Sequence, residues 1–265
     1  MHRRSLLAAA GTGLATALAG CSVSLFGETV TESFEDSYDI DPGTTVRVAN
    51  RNGDVGVEPG DDDQLTVSGE KRSSSQDGLD AITVDVSRGQ QFTVDVEFDR
   101  TGFQRQGVDL TVELPDGVTL DRAGTANGDV TVEEVSGDVT ARSSNGDVEV
   151  DDVDGYVRCE TSNGDVQVRD TTGLRGAQSS NGEVDVDLLA MRDDVTCRSS
   201  NGSVTVRAGP EVAAGFRLVT NNGDVSVTDL PHTTTTARER LIEGRLRGAS
   251  DPTLTAETTN GDVTL

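Results

Sequence analysis

The chain has 265 residues, 47 of them acidic against 22 basic, a formal net charge of −25, and 3% aromatics with no tryptophan. That balance excludes nucleic-acid roles, which need clustered Lys and Arg to meet phosphates, and it leaves little material for a thick globular core. A single lysine, Lys71, amid so much aspartate is the composition of a halophilic protein, for which molar salt shrinks the Debye length to about 3 Å and screens self-repulsion.

Residues 1–20 read as an export signal and stand outside fold reasoning. Arg3 and Arg4 precede an apolar run, Leu6 to Leu18, that is too short to span a bilayer comfortably. The arginine pair resembles a twin-arginine signal. The run ends in Leu18-Ala19-Gly20-Cys21, which resembles a lipoprotein signal-peptidase box. In such signals the cysteine becomes the new N-terminus and carries lipid, so Cys21 is the expected attachment point. The membrane is then a partner through that anchor, and the expected address is extracytoplasmic, on the outer face of the cell membrane. Residues 21–37 would be the lipidated cysteine and a polar tether.

Residues 38–121 alternate apolar and polar side chains without a strict repeat. Ile82 to Val86, Phe92 to Phe98 and Val108 to Leu114 are expected strands, and Glu58 to Asp63, Glu70 to Asp80 and Asp99 to Gly107 are expected loops. This span reads as irregular N-terminal β coils with a cap, or alternatively as a separate small β-domain.

Residues 122–265 carry the firmest signal. Asn-Gly stands at Asn127-Gly128, Asn145-Gly146, Asn163-Gly164, Asn181-Gly182, Asn201-Gly202 and Asn222-Gly223, with spacings of 18, 18, 18, 20 and 21 residues, then at Asn260-Gly261 and, far upstream, at Asn52-Gly53. A period near 20 marks a solenoid whose units stack on one another. Three and five residues after each Asn stand valines, such as Val148 and Val150, with Leu265 taking the later place in the last unit, and four before Asn stand Ala141, Cys159, Ala177 and Cys197. The predicted fold is therefore all-β: a parallel β-solenoid of about 18–21 residues per coil, with Asn-Gly corners because both residues tolerate positive φ. Gly137, Gly155 and Gly173 mark a second corner. Six before Asn stand Val46, Val139, Val157, Val195, Phe216 and Leu254, with Arg175 as an exception. Leu230 to Asp251 interrupts the last coils as a projecting loop or hairpin, and Leu265 ends the chain on an uncapped coil.

Stacking makes the cysteines a test of register. Cys159 and Cys197 share an inward column with Ala177 between them, so they lie roughly 9.6 Å apart at a coil spacing of about 4.8 Å. That is too far for a disulfide, whose Cα atoms stand about 4.4–6.8 Å apart. Two free, buried thiols are expected. Asp54, Asp129, Asp147, Asp165, Asp224 and Asp262 form an acidic column two residues after each Asn, with Glu183 and Ser203 in the same place. The column serves either as turn caps or, at Asp129, Asp147 and Asp165, as a calcium site by analogy with calcium-binding β-rolls; no other cofactor is implied. Asn201-Gly202-Ser203 is a glycosylation sequon created by the Asp-to-Ser change. His232 stands without the partners that a catalytic triad or a His-based zinc site requires.

The unit Thr161-Ser162-Asn163-Gly164-Asp165-Val166-Gln167-Val168 and the terminal Thr258-Thr259-Asn260-Gly261-Asp262-Val263-Thr264-Leu265 resemble a family of bacterial and archaeal surface domains catalogued as candidate adhesins of unknown function. The resemblance spans residues 40–265 and implies a parallel β-solenoid outside the cytoplasm. The function read first is a non-catalytic, lipid-anchored surface module that meets an unidentified surface protein or glycan. Second comes a structural envelope component that self-associates end to end. A carbohydrate-acting enzyme using paired carboxylates ranks last.

Overall fold

The computed structural model describes residues 29–60, 63–98 and 105–265. Arg3, Arg4, the lipobox and Cys21 lie outside the described residues. Alternating β-branched residues favour extended backbone, and the described residues form 23 strands and one short helix. In chain order, β1 (Val30–Asp39) is followed by a first coil, β2 (Thr45–Ala49) and β3 (Val55–Pro59). Next come β4 (Gln64–Ser73), helix α1 (Gln76–Leu79) and β5 (Ile82–Arg88), then a second coil, β6 (Phe92–Phe98) and β7 (Gly107–Leu114).

Five regular coils follow: β8 (Thr119–Gly124) with β9 (Val130–Glu133), β10 (Thr140–Arg142) with β11 (Val148–Asp151), β12 (Tyr156–Glu160) with β13 (Val166–Val168), β14 (Gly173–Gln178) with β15 (Val184–Leu188), and β16 (Val195–Arg198) with β17 (Val204–Ala208). The eighth coil is β18 (Ala214–Asn222) with β19 (Val225–Ser226). A hairpin, β20 (His232–Arg238) and β21 (Leu241–Leu246), leads to the ninth, β22 (Thr253–Asn260) with β23 (Val263–Thr264).

Each coil gives one strand to each of two long sheets. The first sheet, of 11 strands, runs β1-β4-β7-β3-β9-β11-β13-β15-β17-β23-β19; the second, of 12, runs β20-β21-β18-β22-β16-β14-β12-β10-β8-β2-β6-β5. Coil-to-coil pairs are parallel and in register, with Val148 between Val130 and Val166, and Ala177 between Cys159 and Cys197. Inward valines from one sheet meet valines, alanines and cysteines from the other in a single core. Val148, Val150, Val157 and Val168 are fully buried, and each such valine contributes roughly 1.5–3 kcal/mol of transfer free energy. Small side chains suit this thin interior, which accounts for the scarcity of aromatics.

The Arg175 exception is a bulge. Val157 pairs with Leu174, but Arg158 pairs with Gly176, so Arg175 is an extra residue and buried Leu174 takes the apolar place. An identical slip sets Leu120 opposite Val46 and leaves Asp121 extra. At the second corner the left-handed residues are Glu134, Asp152 and Asp170, together with Gly137. Gly155 keeps ordinary φ and is required by proximity: a Cβ there would lie 1.9 Å from the Gly137 carbonyl oxygen.

Three expectations change. Residues 30–37, expected as tether, form most of β1, which pairs antiparallel with β4 along its whole length. Glu70 to Asp80, expected as a loop, contains the end of β4 and α1; Lys71 sits over the Phe34 ring and Arg72 pairs with Asp109, so these charges are held against the cap. Leu265 does not end an uncapped coil, because coil 9 lies between coils 7 and 8 in both sheets. The other end mirrors this: coil 1 lies between coils 2 and 3. Of the two forms expected for residues 230–251, the hairpin is the one present, β20 pairing with β21, and β21 pairs antiparallel with β18 so that the hairpin extends the second sheet.

Candidate functional site

Every Asn-Gly pair sits where the chain passes from the second sheet to the first, and there the motif builds three hydrogen-bond ladders along the stack. The residue two before Asn donates its hydroxyl to a glycine carbonyl in the adjacent coil: Ser143 to Gly128, Thr161 to Gly146, Ser179 to Gly164, Ser199 to Gly182, Thr258 to Gly202 and Thr220 to Gly261, each at 2.8 Å. These hydroxyl residues are buried, so their bonding is obligatory. Asparagine amides form the second ladder. Asn127 donates to the Oδ1 of Asn52 at 2.7 Å, Asn145 to Asn127 at 2.9 Å, Asn163 to Asn145 at 2.8 Å and Asn181 to Asn163 at 2.9 Å. Asn201 donates to Asn181, Asn260 to Asn201 and Asn222 to Asn260, following the spatial rather than the chain order.

The acidic column makes the third ladder. Backbone amides of Asp129, Asp147, Asp165 and Glu183 donate to the Oδ1 of Asp54, Asp129, Asp147 and Asp165 respectively, at 2.7–2.9 Å. Asp224 donates likewise to Asp262, and Ser203 serves in the same place with its hydroxyl. The carboxylates of Asp54, Asp129, Asp147, Asp165 and Asp262 therefore cap the amides of the neighbouring coil, each through one oxygen. Among the described residues no group of three or more His, Cys, Asp or Glu side chains is arranged to hold a metal ion. Glycine is dictated by close approach: a Cβ on Gly146 would lie 2.0 Å from the Gly128 carbonyl oxygen. Asn201, the sequon residue, is exposed, but its amide nitrogen is bonded to Asn181 and to the Ser180 carbonyl.

Coil 2 carries the same corner in disguise. Gly107 stands in the asparagine column, Asp109 accepts from the Asp54 amide, and on the coil 1 side Asn50 takes the hydroxyl's place by donating to the carbonyls of Gly53 and Val108. Without Asn-Gly, this coil was invisible to a motif count; the alternation Val108-Leu110-Val112 was its only signal.

Beside the corner runs a groove on the second-sheet side, about 290 Å³ in volume. One wall is the hydroxyl row Ser144, Ser162 and Ser180; the other is Arg142, Glu160 and Gln178. Glu160 bridges Arg142 at 3.0 Å and Arg158 at 3.5 Å, all partly exposed. Donors and acceptors thus alternate along the groove at the coil repeat, about 4.8 Å. Of these six only Ser162 stands in the repeat unit quoted from the sequence, and none is a site residue expected there; their signal is the residues one and three before each Asn.

Elsewhere, Asp185 on the first sheet bridges Arg169 and Arg207, both at 2.7 Å. Burial alone would raise its carboxyl, but hydrogen bonds from Arg207 and Arg169 outweigh this and hold it below the usual range. Glu133, Glu134, Asp151, Asp152 and Asp170 surround an acidic depression at the second corner. Both described cysteines are free and buried in their shared column; burial pushes the Cys159 thiol up and the Cys197 thiol up to about 12. Tyr156 lies under the Arg192 guanidinium at 3.6 Å. His232 is exposed, with Nδ1 at 2.8 Å from the Leu230 carbonyl and its ring against Phe216.

A family profile described as Toastrack DUF4097 matches residues 44–265. No curated protein matches the chain by sequence. Among solved structures, the fold is similar to that of a protein from Clostridium sporogenes described as a candidate cell adhesion protein, with 11% identity, TM-score 0.35, and coverage of 88% of this chain and 98% of that one. A candidate adhesin from Bacteroides fragilis gives 12% identity, TM-score 0.44, and coverage of 88% and 97%. A candidate lipid binding protein from Parabacteroides distasonis gives 12% identity, TM-score 0.32, and coverage of 89% and 96%.

Proposed function

The chain belongs to the Toastrack DUF4097 family, and on that premise we propose that it is a non-catalytic, adhesin-like module held on the outer face of the cell membrane by lipid on Cys21. The observation that carries the reading is the groove beside the Asn-Gly edge. Its serine hydroxyls, with Arg142, Glu160 and Gln178, offer a straight row of mixed donors and acceptors on rigid strands. Such a row suits an extended polyhydroxylated polymer, which presents hydroxyls at regular intervals and needs bidentate, alternating partners rather than an enclosed pocket. The ladders fix the row's spacing, since the buried hydroxyls, the asparagine amides and the aspartates beside the row are bonded from coil to coil. A calcium ion in the Asp129, Asp147 and Asp165 column remains a subsidiary proposal, limited to the carboxylate oxygens that the ladder leaves free.

Binding of the full chain to an immobilised panel of envelope polysaccharides tests the reading. Retention of at least one glycan, weakened by Arg142→Ala with Gln178→Ala, is the expected result. Retention that ignores both substitutions overturns the groove as the site. Incorporation of labelled fatty acid, abolished by Cys21→Ser, tests the anchor separately.

A further inference from the structure

The two ends of the rod differ from its middle in one respect. Among the described residues, apart from Met191 and Ala208, the partly buried apolar residues packed on the core lie at the ends: Val30, Phe34, Tyr38, Ile40, Val84, Val86 and Phe98 at one, Val225, Val227, Leu230 and Ile242 at the other. Val225 occupies the inward column in which Val204 and Val263 are fully buried. Both ends are also stepped. At the N-terminal end the first sheet extends past coil 2 by β4 and β1, whereas the second extends by β5 alone. At the C-terminal end the second sheet extends past coil 8 by β21 and β20, whereas the first stops at β19. The sheet that overhangs at one end is the sheet that is recessed at the other.

Charge follows the same polarity. The edge strand β1 carries Glu32, Glu35, Asp36 and Asp39 and no cation. The hairpin from His232 to Leu246 carries Arg238, Arg240 and Arg245 against Glu239 and Glu243, and Glu243 is bonded to Arg217. On a chain of net charge −25 this is a locally cationic element. Among the described residues, β1, β19, β5 and β20 each have one strand edge with no neighbour, so their backbone groups are available for strand addition.

We propose that the two ends are complementary docking faces and that copies of this chain associate head to tail. β1 of one copy enters the recess beside β19 of the next, beneath β20 and β21. The first sheet continues across the junction, Phe34 and Tyr38 cover Val225, Val227 and Ile242, and the acidic strand meets the arginines of the hairpin. Pairing of two N-terminal ends would set β1 against β1, acid on acid, and pairing of two hairpins would set arginine against arginine. The contact is therefore heterologous and open-ended, a geometry that produces chains of copies rather than closed dimers.

Sedimentation velocity of the full chain, over a protein concentration series at low and high ionic strength, tests the proposal. Self-association that grows with concentration is expected once salt screens the repulsion between copies of net charge −25. Arg238→Glu with Arg245→Glu gives two acidic ends, and Glu32→Arg with Glu35→Arg gives two basic ends. Each doubly reversed chain alone should associate about tenfold or more weakly than the parent, and an equimolar mixture of the two should recover association, because every junction again pairs opposite charges. Glutamine at the same four positions should give an intermediate loss and serves if a reversal disturbs the strands, as read by circular dichroism. A parent chain that sediments as a monomer throughout, reversals without effect, or a mixture that fails to recover association would overturn the proposal. Glycan retention by a monomeric chain would leave the groove reading intact.

Discussion

The N-terminal and C-terminal ends solve one problem with the same parts and finish it differently. Each intercalates a coil out of chain order, coil 1 between 2 and 3 and coil 9 between 7 and 8, and each adds antiparallel strands beyond the last parallel pair. At the N-terminal end these strands and α1 close the core: Leu65, Val67, Leu79 and Ile82 are buried against coil 2. At the C-terminal end only the second sheet is extended, and Val225 and Val227 stay partly exposed. Antiparallel strands thus cap a parallel stack only where both sheets receive them. Edge control by acidic residues, as on β1, and by a threonine-rich strand, as on β20, then governs what the open edges can join.

That contrast can be broken by removing whole elements. Ending the chain after Ser250 deletes coil 9 and leaves coils 7 and 8 without their shared neighbour in both sheets. It should abolish a cooperative denaturation transition, whereas a chain lacking residues before Ile40 should keep one with a lowered midpoint; far-UV circular dichroism in guanidinium distinguishes them. Loss of cooperativity in both, or in neither, would contradict the difference in burial.

The next largest effect compares one column at two depths. Val263→Asp places a carboxylate at a fully buried site and should cost about 3 kcal/mol or more, while Val225→Asp, at the partly exposed end, should cost about 1 kcal/mol or less. Denaturant midpoints measure both. Asn163→Ala removes two ladder bonds, one given and one received, and should cost about 1–2 kcal/mol; Asn222→Ala removes the single bond at the ladder's end and should cost about half as much. Equal losses would show that the ladder bonds are not the operative interaction.

The smallest effect concerns pH. The Asp185 carboxyl is held below its unfolded value, so its contribution is present above the ordinary carboxylate range, near pH 4, and fades as pH falls through the lower folded value. Asp185→Asn should therefore lower stability at neutral pH and flatten the acid limb of the melting curve, with little difference from the parent in strong acid. Its site is partly exposed, so the shift should be modest.

The repeat, the inward columns and the cysteine spacing were legible because each coil repeats one chemical sentence, and Ala177 sets Cys159 and Cys197 apart as the count required. Two things hid the rest. A period-2 pattern is satisfied by any parallel neighbour, so nothing in Val263 or Leu265 says that their coil lies inside the stack. End strands also obey weaker rules. In β1 the inward row Val30, Glu32, Phe34, Asp36 and Tyr38 alternates apolar with acidic residues, because only half of it meets the core, and it looks like a tether. Bulges at Asp121 and Arg175 shift the apolar residue by one place, which a fixed offset from Asn reads as an exception. The groove escaped notice for a similar reason: its residues lie between motif positions, and only stacking brings Ser144, Ser162 and Ser180 into one row.

The place of coil 9 has a consequence for how the molecule is made. Chains emerge N-terminus first, and domains generally fold in that order. Yet here the place between coils 7 and 8 is taken by β22 and β23, which follow both coils in the chain. Growth from one end cannot finish this rod, because coil 8 must wait for, or part to admit, a strand pair that does not yet exist. Arrival of coil 9 is thus the closing step for this part of the stack, and a chain released before it carries its defect at an internal seam rather than at a frayed tip.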